Sequence, residues 1–278
     1  MRINIASFGG RSHLLDTSRE LEKFGHEIRF YSYIKDDRAM SFGLKKECNF
    51  SMYFLAVPFL VMFKICNIFG FKRTKRFVYF LYKRLFDYIT AFYMKPCDVF
   101  IGQSPMHLYS LKYAKKKYNA IVILERGTSH VIEQAKALDS NPILKGNKSM
   151  PNPYLKYDLR GYKNADYISV GSSHVKTSFI KHGFSTDKLF VNNYGFDTNQ
   201  FRPTILSQKP FDILIVGQWS HRKGADLLTE VCKNTQFSLL HVGSIIDVEF
   251  PDFDNMTHIE PVNQKDLIQF YSQARIFV

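Results

Sequence analysis

Four short segments of the 278-residue chain carry side chains able to do chemistry, and each follows an apolar run. Gly9 and Gly10 follow RINIASF. Glycines there let backbone N–H groups approach a phosphate, and a helix N-terminus favours negative charge; the pair serves equally as a tight turn with no ligand. GGRSH is not GxGxxG, and no acidic residue closes the second strand, so a dinucleotide cofactor is disfavoured. Glu125, Arg126 and His130, in ERGTSH, come directly after AIVIL. Charged residues after a fully apolar strand sit at a crevice edge in open α/β sheets. His130 is a candidate acid/base there, or a helix-start histidine bonded to backbone. In VGQWSHRKGADLL, a strand ends at Gly217 and Gly224 opens a helix. Arg222 and Lys223 beside that helix start make a diphosphate clamp, or a solvated basic turn. The fourth segment is Asn193-Tyr194-Gly195-Phe196-Asp197, where Gly195 permits a sharp turn between domains.

The elements that must position these residues alternate strand and helix almost throughout. Strands are predicted at 2–7, 27–32, 98–102, 120–124, 166–170 and 188–192, with helices between most of them. Ser104-Pro105 reads as the cap and first turn of one helix, and Thr128 or Ser129 as the cap of another. Phe196 to Pro210 reads as a linker. Beyond it come strands 211–216, 237–242 and 256–260, helices 224–234 and 264–273, and a buried strand at the RIFV end. The pattern predicts an α/β protein of two Rossmann-like domains with parallel sheets: residues 1–195, a linker at 196–210, and a second, incomplete domain at 211–278.

Lysine and arginine outnumber aspartate and glutamate 38 to 25, a net charge of +13 that calls for an anionic partner. More than half of that charge lies in Lys64–Lys95, which holds eight basic residues, among them Lys72, Arg73, Lys75 and Arg76, against Asp87 alone. Phenylalanine and tyrosine are interleaved with them. Such a helix can lie on an anionic bilayer, or it is a core helix with a solvated basic face. The preceding apolar run, Ser51–Phe63, is broken by Pro58 and falls short of the ~18–20 residues of a membrane span. The N-terminus is too short in apolar residues for a signal peptide. Four scattered cysteines form no CxxC pair, which argues against a zinc site or disulfide framework and for a reducing cytoplasm. Nucleic acid is disfavoured as a partner, because the cations sit beside aromatic and apolar sequence and no binding motif appears.

Taken together, the segments resemble the family 4 retaining glycosyltransferases of the GT-B fold. The resemblance runs along most of the chain apart from residues 40–95, and is carried best by ADYISVGSSHVKTSFIKHGFSTDKLFVNNYGFDTNQFRP (165–203) and VGQWSHRKGADLL (216–228). It implies a hexosyl-type transferase that uses a nucleotide-diphosphate sugar as donor substrate, with no metal or other cofactor. The donor would bind mainly on the second domain and the acceptor on the first. Gly9 and Gly10 would approach the diphosphate and Lys223 would pair with it. Gln218 stands where the family has an arginine, and Arg222 would supply that charge. Glu125 or Arg126 stands where the family's first-domain histidine lies, with His130 about one helical turn on. The membrane-side basic segment would bring a cytoplasmic enzyme to a lipid-linked glycan acceptor at the inner face of the cell membrane, in envelope or lipopolysaccharide-type assembly. The family's E-x7-E segment would follow RIFV, so the expectation is a truncated chain; the rival is a non-catalytic relative that has lost donor binding.

Overall fold

A computed structural model of the chain describes residues 1–8, 12–140, 152–196, 198, 201, 202 and 209–278. The chain divides into two compact units, Met1–Tyr194 and Gly195–Val278. The sequence motifs are distributed across both, apart from Gly9, Gly10, Asp197 and most of the expected 196–210 linker, which lie outside the described residues.

The first unit is built on a seven-stranded sheet: β1 (Arg2–Ala6), β2 (Glu27–Ser32), β3 (Asn49–Ser51), β4 (Val99–Gln103), β5 (Ile121–Arg126), β6 (Tyr167–Val170) and β7 (Leu189–Val191). Their order is β3-β2-β1-β4-β5-β6-β7, and every pairing is parallel. The direction of strand addition reverses between β1 and β4, the place where open sheets of this kind bind ligands. Apolar side chains alternate to both faces, as a sheet covered on both sides requires. Ile5, Leu15 and Phe30 fill the core on one face, and Phe100, Val122 and Phe179 the core on the other.

Among the described residues, eight α-helices flank these strands. They are α1 (His13–Lys23), α2 (Asp36–Ser41), α3 (Tyr53–Ile68), α4 (Lys72–Phe92), α5 (Leu108–Tyr118), α6 (Val131–Ser140), α7 (Asn152–Asn164) and α8 (Ser173–Ile180). Two helix starts differ from expectation. Helix α5 begins at Leu108, after a cis Ser104–Pro105 turn, and its cap comes from another helix. The buried Asp87 carboxylate on α4 accepts from the Tyr109 and Ser110 N–H groups at 2.7 and 2.8 Å. Helix α6 begins after His130 rather than after Thr128 or Ser129, and His130 Nδ1 accepts from Ile132 N–H at 3.4 Å. The basic aromatic stretch is not one helix: α3 runs through Pro58 and Lys64, and α4 starts afresh after Gly70, whose φ of 67° makes the turn.

The second unit carries a four-stranded parallel sheet, β8 (Phe211–Val216), β9 (Leu239–Val242), β10 (Met256–Ile259) and β11 (Ala274–Phe277), in the order β10-β9-β8-β11. Helices α9 (Ala225–Asn234) and α10 (Gln264–Ser272) accompany it. Ile213, Trp219 and Leu239 pack on one face, and Leu214, Leu240 and Phe270 on the other. The expected buried strand at RIFV is formed, but it is the sheet's edge, and Arg275, Ile276 and Phe277 are exposed.

Candidate active site

In the first unit the polar residues gather at the carboxyl ends of the strands. At the β1/β4 reversal, Ser7 Oγ donates to Gln103 Oε1 at 3.0 Å and lies 2.8 Å from Ser12 Oγ. The Phe8 N–H donates to the same Gln103 oxygen at 3.1 Å. Gln103 thereby ties the chain leaving β1 to the end of β4.

Glu125, at the end of β5, is the centre of a second cluster. Its side chain is nearly buried, and Oε1 lies 3.0 Å from His13 Nε2, an ion-pair distance but not a hydrogen-bond alignment. The Tyr194 hydroxyl donates to the same oxygen at 3.2 Å. The His13 and Tyr194 rings pack against each other tilted by 44°, with centroids 4.5 Å apart. Two glycines make room for the tyrosine: a Cβ on Gly127 would stand 2.3 Å from its hydroxyl, and one on Gly171 would stand 3.2 Å from its ring. Burial and then the Glu125 charge push the Tyr194 phenol up to about 12, so it stays a hydrogen-bond donor. A half-exposed imidazole beside an oriented carboxylate can accept, donate or hold a proton at a substrate hydroxyl.

The other two first-unit candidates turn inward. Arg126 is buried and saturated: it donates to Asp158 Oδ2 at 3.0 Å, to Gln134 Oε1 at 2.8 Å and to the Ser129 carbonyl at 3.3 Å. It ties the end of β5 to α6 and α7. His130 is also buried, stacked on His182 at 4.1 Å and ringed by Tyr162, Phe179 and Phe184. Burial, then the neighbouring His182 and Arg126, lower its pKa to about 4, so it is neutral and packed in an aromatic cluster. As placed here it is the helix-start histidine bonded to backbone, not a group open to substrate.

In the second unit, β8 ends at Val216 and Gly217 follows it, with φ of 131°. The Gly217 carbonyl accepts from His241 Nε2 at 2.9 Å, and His241 Nδ1 lies 2.9 Å from His258 Nδ1. Since a carbonyl only accepts, His241 carries its proton on Nε2, and His258 donates to Nδ1. Trp219 is wholly buried and pins the next turn through its backbone N–H, which donates to the Ser244 carbonyl at 2.8 Å. A short 3-10 turn, His221–Lys223, then leads to Gly224 at φ of 76°, which starts α9. Arg222 and Lys223 are exposed at that helix start, with an Arg222 nitrogen 3.4 Å from Gln218 Oε1. The basic pair and the positive end of α9 therefore coincide. Gly195 has no left-handed φ, so nothing in its described backbone demands glycine.

No protein-family model and no curated protein matches the chain by sequence. Solved structures match it by fold. Anabaena Alr3699/HepE in complex with UDP and glucose has a TM-score of 0.64 at 11% identity, covering 100% of this chain and 73% of its own. Sucrose-phosphate synthase from Thermosynechococcus elongatus has a TM-score of 0.62 at 12% identity, covering 99% of this chain and 74% of its own. The chain has the GT-B fold. A third GT-B match, the E. coli trehalose-6-phosphate protein bound with UDP-2-fluoro glucose, has a TM-score of 0.56 at 10% identity and covers 100% of this chain and 77% of its own.

Within this GT-B chain, sequence reasoning missed His13 and gave Tyr194 no role of its own. His13 stands in GGRSH, three residues past the glycines, and Tyr194 stands next to Gly195. Their polar side chains at the ends of predicted strands were the available signal. What joins them is Glu125, reached only once β1, β5 and β7 lie in one sheet.

Proposed function

We propose that this chain is a hexosyl-type glycosyltransferase. It moves a sugar from a nucleotide-diphosphate sugar to a glycan acceptor with retention, and no metal or cofactor takes part. The observation that carries the reading is the α9 start. Gly217, Arg222, Lys223 and Gly224 put two exposed cations at a helix N-terminus that follows a parallel strand. This is the arrangement a diphosphate needs, in a fold whose solved examples include proteins bound to UDP and UDP-sugars.

In the reaction the bond between the sugar's anomeric carbon and the diphosphate oxygen breaks, and a bond to the acceptor oxygen forms on the same face. Arg222, Lys223 and the α9 dipole stabilise the charge that collects on the leaving diphosphate. On the acceptor-side unit, His13 and Glu125 orient the acceptor hydroxyl and hold its proton. Arg126 and His130 act as supports behind them. The acceptor is lipid-linked, and the enzyme works in the cytoplasm at the inner membrane face during envelope polysaccharide assembly. The basic surface of the chain supports that part of the reading.

Titration with UDP, and with UDP-glucose as probe donor, tests this. Lys223→Ala should weaken nucleotide binding by roughly tenfold, the worth of one charge-assisted contact. His13→Gln should leave nucleotide binding unchanged and lower turnover by roughly a hundredfold or more. Absence of binding to any nucleoside diphosphate would favour the rival, a GT-B relative without donor chemistry.

A further inference from the structure

Helix α3 inverts the usual order of an outer helix. It buries only Ala56 and Cys66, while Phe54, Val61, Met62, Ile65 and Ile68 are exposed. These positions recur at three- and four-residue steps, so they form one outward stripe. Phe54 is 87% and Ile68 68% exposed. A helix that is apolar on its open face needs a cover. Helix α4 packs against α3 and repeats the pattern, with Phe77, Leu81, Leu85, Tyr88 and Phe92 outward at the same kind of spacing, while Tyr82 and Phe86 enter the core.

We propose that the α3–α4 hairpin lies in the plane of an anionic bilayer, with the outer stripe of α3 set into the acyl boundary. Charge chooses the occupant. No aspartate or glutamate occurs between Glu47 and Asp87, while Lys64, Lys72, Arg73, Lys75, Arg76 and Arg84 all fall within that interval. A second copy laid on this face would meet the same net positive charge, whereas anionic headgroups neutralise it. Length chooses the orientation. With 16 residues, α3 is about 24 Å long, less than the ~30 Å hydrocarbon core. No described helix is long and apolar enough to cross a membrane. The long stems of the basic residues let their charges reach the headgroups while the apolar stripe sits lower.

The inference deepens the lipid-linked-acceptor half of the proposed function and is independent of its donor half. It also moves the contact surface. The sequence marked Lys72, Arg73, Lys75 and Arg76; the structure adds α3, an element with one charged residue, as the part that inserts.

Vesicle flotation tests it. The full chain should float with vesicles of equal parts phosphatidylcholine and phosphatidylglycerol and bind pure phosphatidylcholine at least tenfold more weakly. Val61→Ser/Ile65→Ser changes exposed positions only, and should cut binding to anionic vesicles by roughly tenfold or more. Arg73→Glu/Lys75→Glu should cut it comparably, and high salt should weaken wild-type binding without abolishing it. All four native cysteines are buried. A fluorophore on Met62→Cys should therefore report α3, shifting to the blue with anionic vesicles, while one on Lys116→Cys of α5 should not shift. Wild-type binding by Val61→Ser/Ile65→Ser, or an unshifted Met62→Cys probe, would overturn the proposal. So would a wild-type dimer in sedimentation that the α3 variant dissociates. UDP titration of the same variants in lipid-free buffer reads the donor half separately, and should be unaffected.

Discussion

The Tyr194 hydroxyl donates to Glu125 Oε1 at 3.2 Å, and so joins the segment after β7 to the end of β5. The bond exists because Gly127 leaves room for it: a Cβ there would come within 2.3 Å of the tyrosine oxygen. Tyr194 is half exposed and can swing away, so Gly127→Ala should change stability by less than about 1 kcal/mol. It should nonetheless free Glu125 from its donor and lower turnover as much as Tyr194→Phe does. Urea denaturation and sugar-transfer rates measured on both variants check this; a fully active Gly127→Ala would show that the bond plays no part.

The strand–helix alternation of both units was legible because each strand is a short apolar run ended by glycine or polar residues. The candidate site was only half legible. Nothing within ERGTSH distinguishes Glu125, which faces the cluster with His13, from Arg126 and His130, which face inward. That choice is made by Asp158 on α7, Gln134 on α6 and His182 in the turn after α8. Similarly, the apolar run of α3 reads as core by composition, and only its packing shows one side left open.

Acid should unfold the first unit in two overlapping steps. His130 and the buried His107 are held neutral by burial, with pKa values lowered to about 4 and about 3 from 6.5. The unfolded chain binds these protons more readily, so their contribution is complete above about 6.5 and is lost as pH falls through the lowered values. Glu133 is held down at about 2, from 4.5, by hydrogen bonds from Lys181, His182 and Lys136. Its contribution is complete above about 4.5 and is lost as pH falls toward 2. Thermal melts should show His130→Asn flattening the upper part of the Tm–pH curve, and Glu133→Gln only the lower part. Curves parallel to wild type would assign the acid lability elsewhere.

Asp87 carries the attachment of α4 to α5. Its Oδ1 accepts from the Ser110 N–H and hydroxyl at 2.8 and 2.6 Å, and its Oδ2 from the Tyr109 N–H at 2.7 Å and from the Tyr157 hydroxyl. Removing the carboxylate strands these buried donors, so Asp87→Ala should cost about 3 kcal/mol or more. Asparagine keeps one acceptor but turns an NH2 toward groups that also donate, so Asp87→Asn should recover little. Urea denaturation measures both; a loss below about 1 kcal/mol for alanine would mean that water replaces the carboxylate.

The ends of β8 and β9 approach each other more closely than any residue with a side chain allows. A Cβ on Gly243 would lie 1.8 Å from the Gly217 carbonyl oxygen, and the φ of 153° at Gly243 adds backbone strain. That carbonyl is also the acceptor for His241 Nε2, so it cannot retreat without breaking a buried bond. Gly183 offers the control, since its φ of 81° carries strain but open space surrounds it. Gly183→Ala should therefore cost only about 1–2 kcal/mol, the left-handed penalty alone. Gly243→Ala should cost more than that and displace the Gly217 turn that leads to Arg222 and Lys223. Trp219 is the only tryptophan and is wholly buried in the second unit, so its emission follows unfolding of that unit directly. If Gly243→Ala keeps both the wild-type midpoint by tryptophan emission and wild-type UDP affinity, the close approach of the two strand ends is not what shapes the turn.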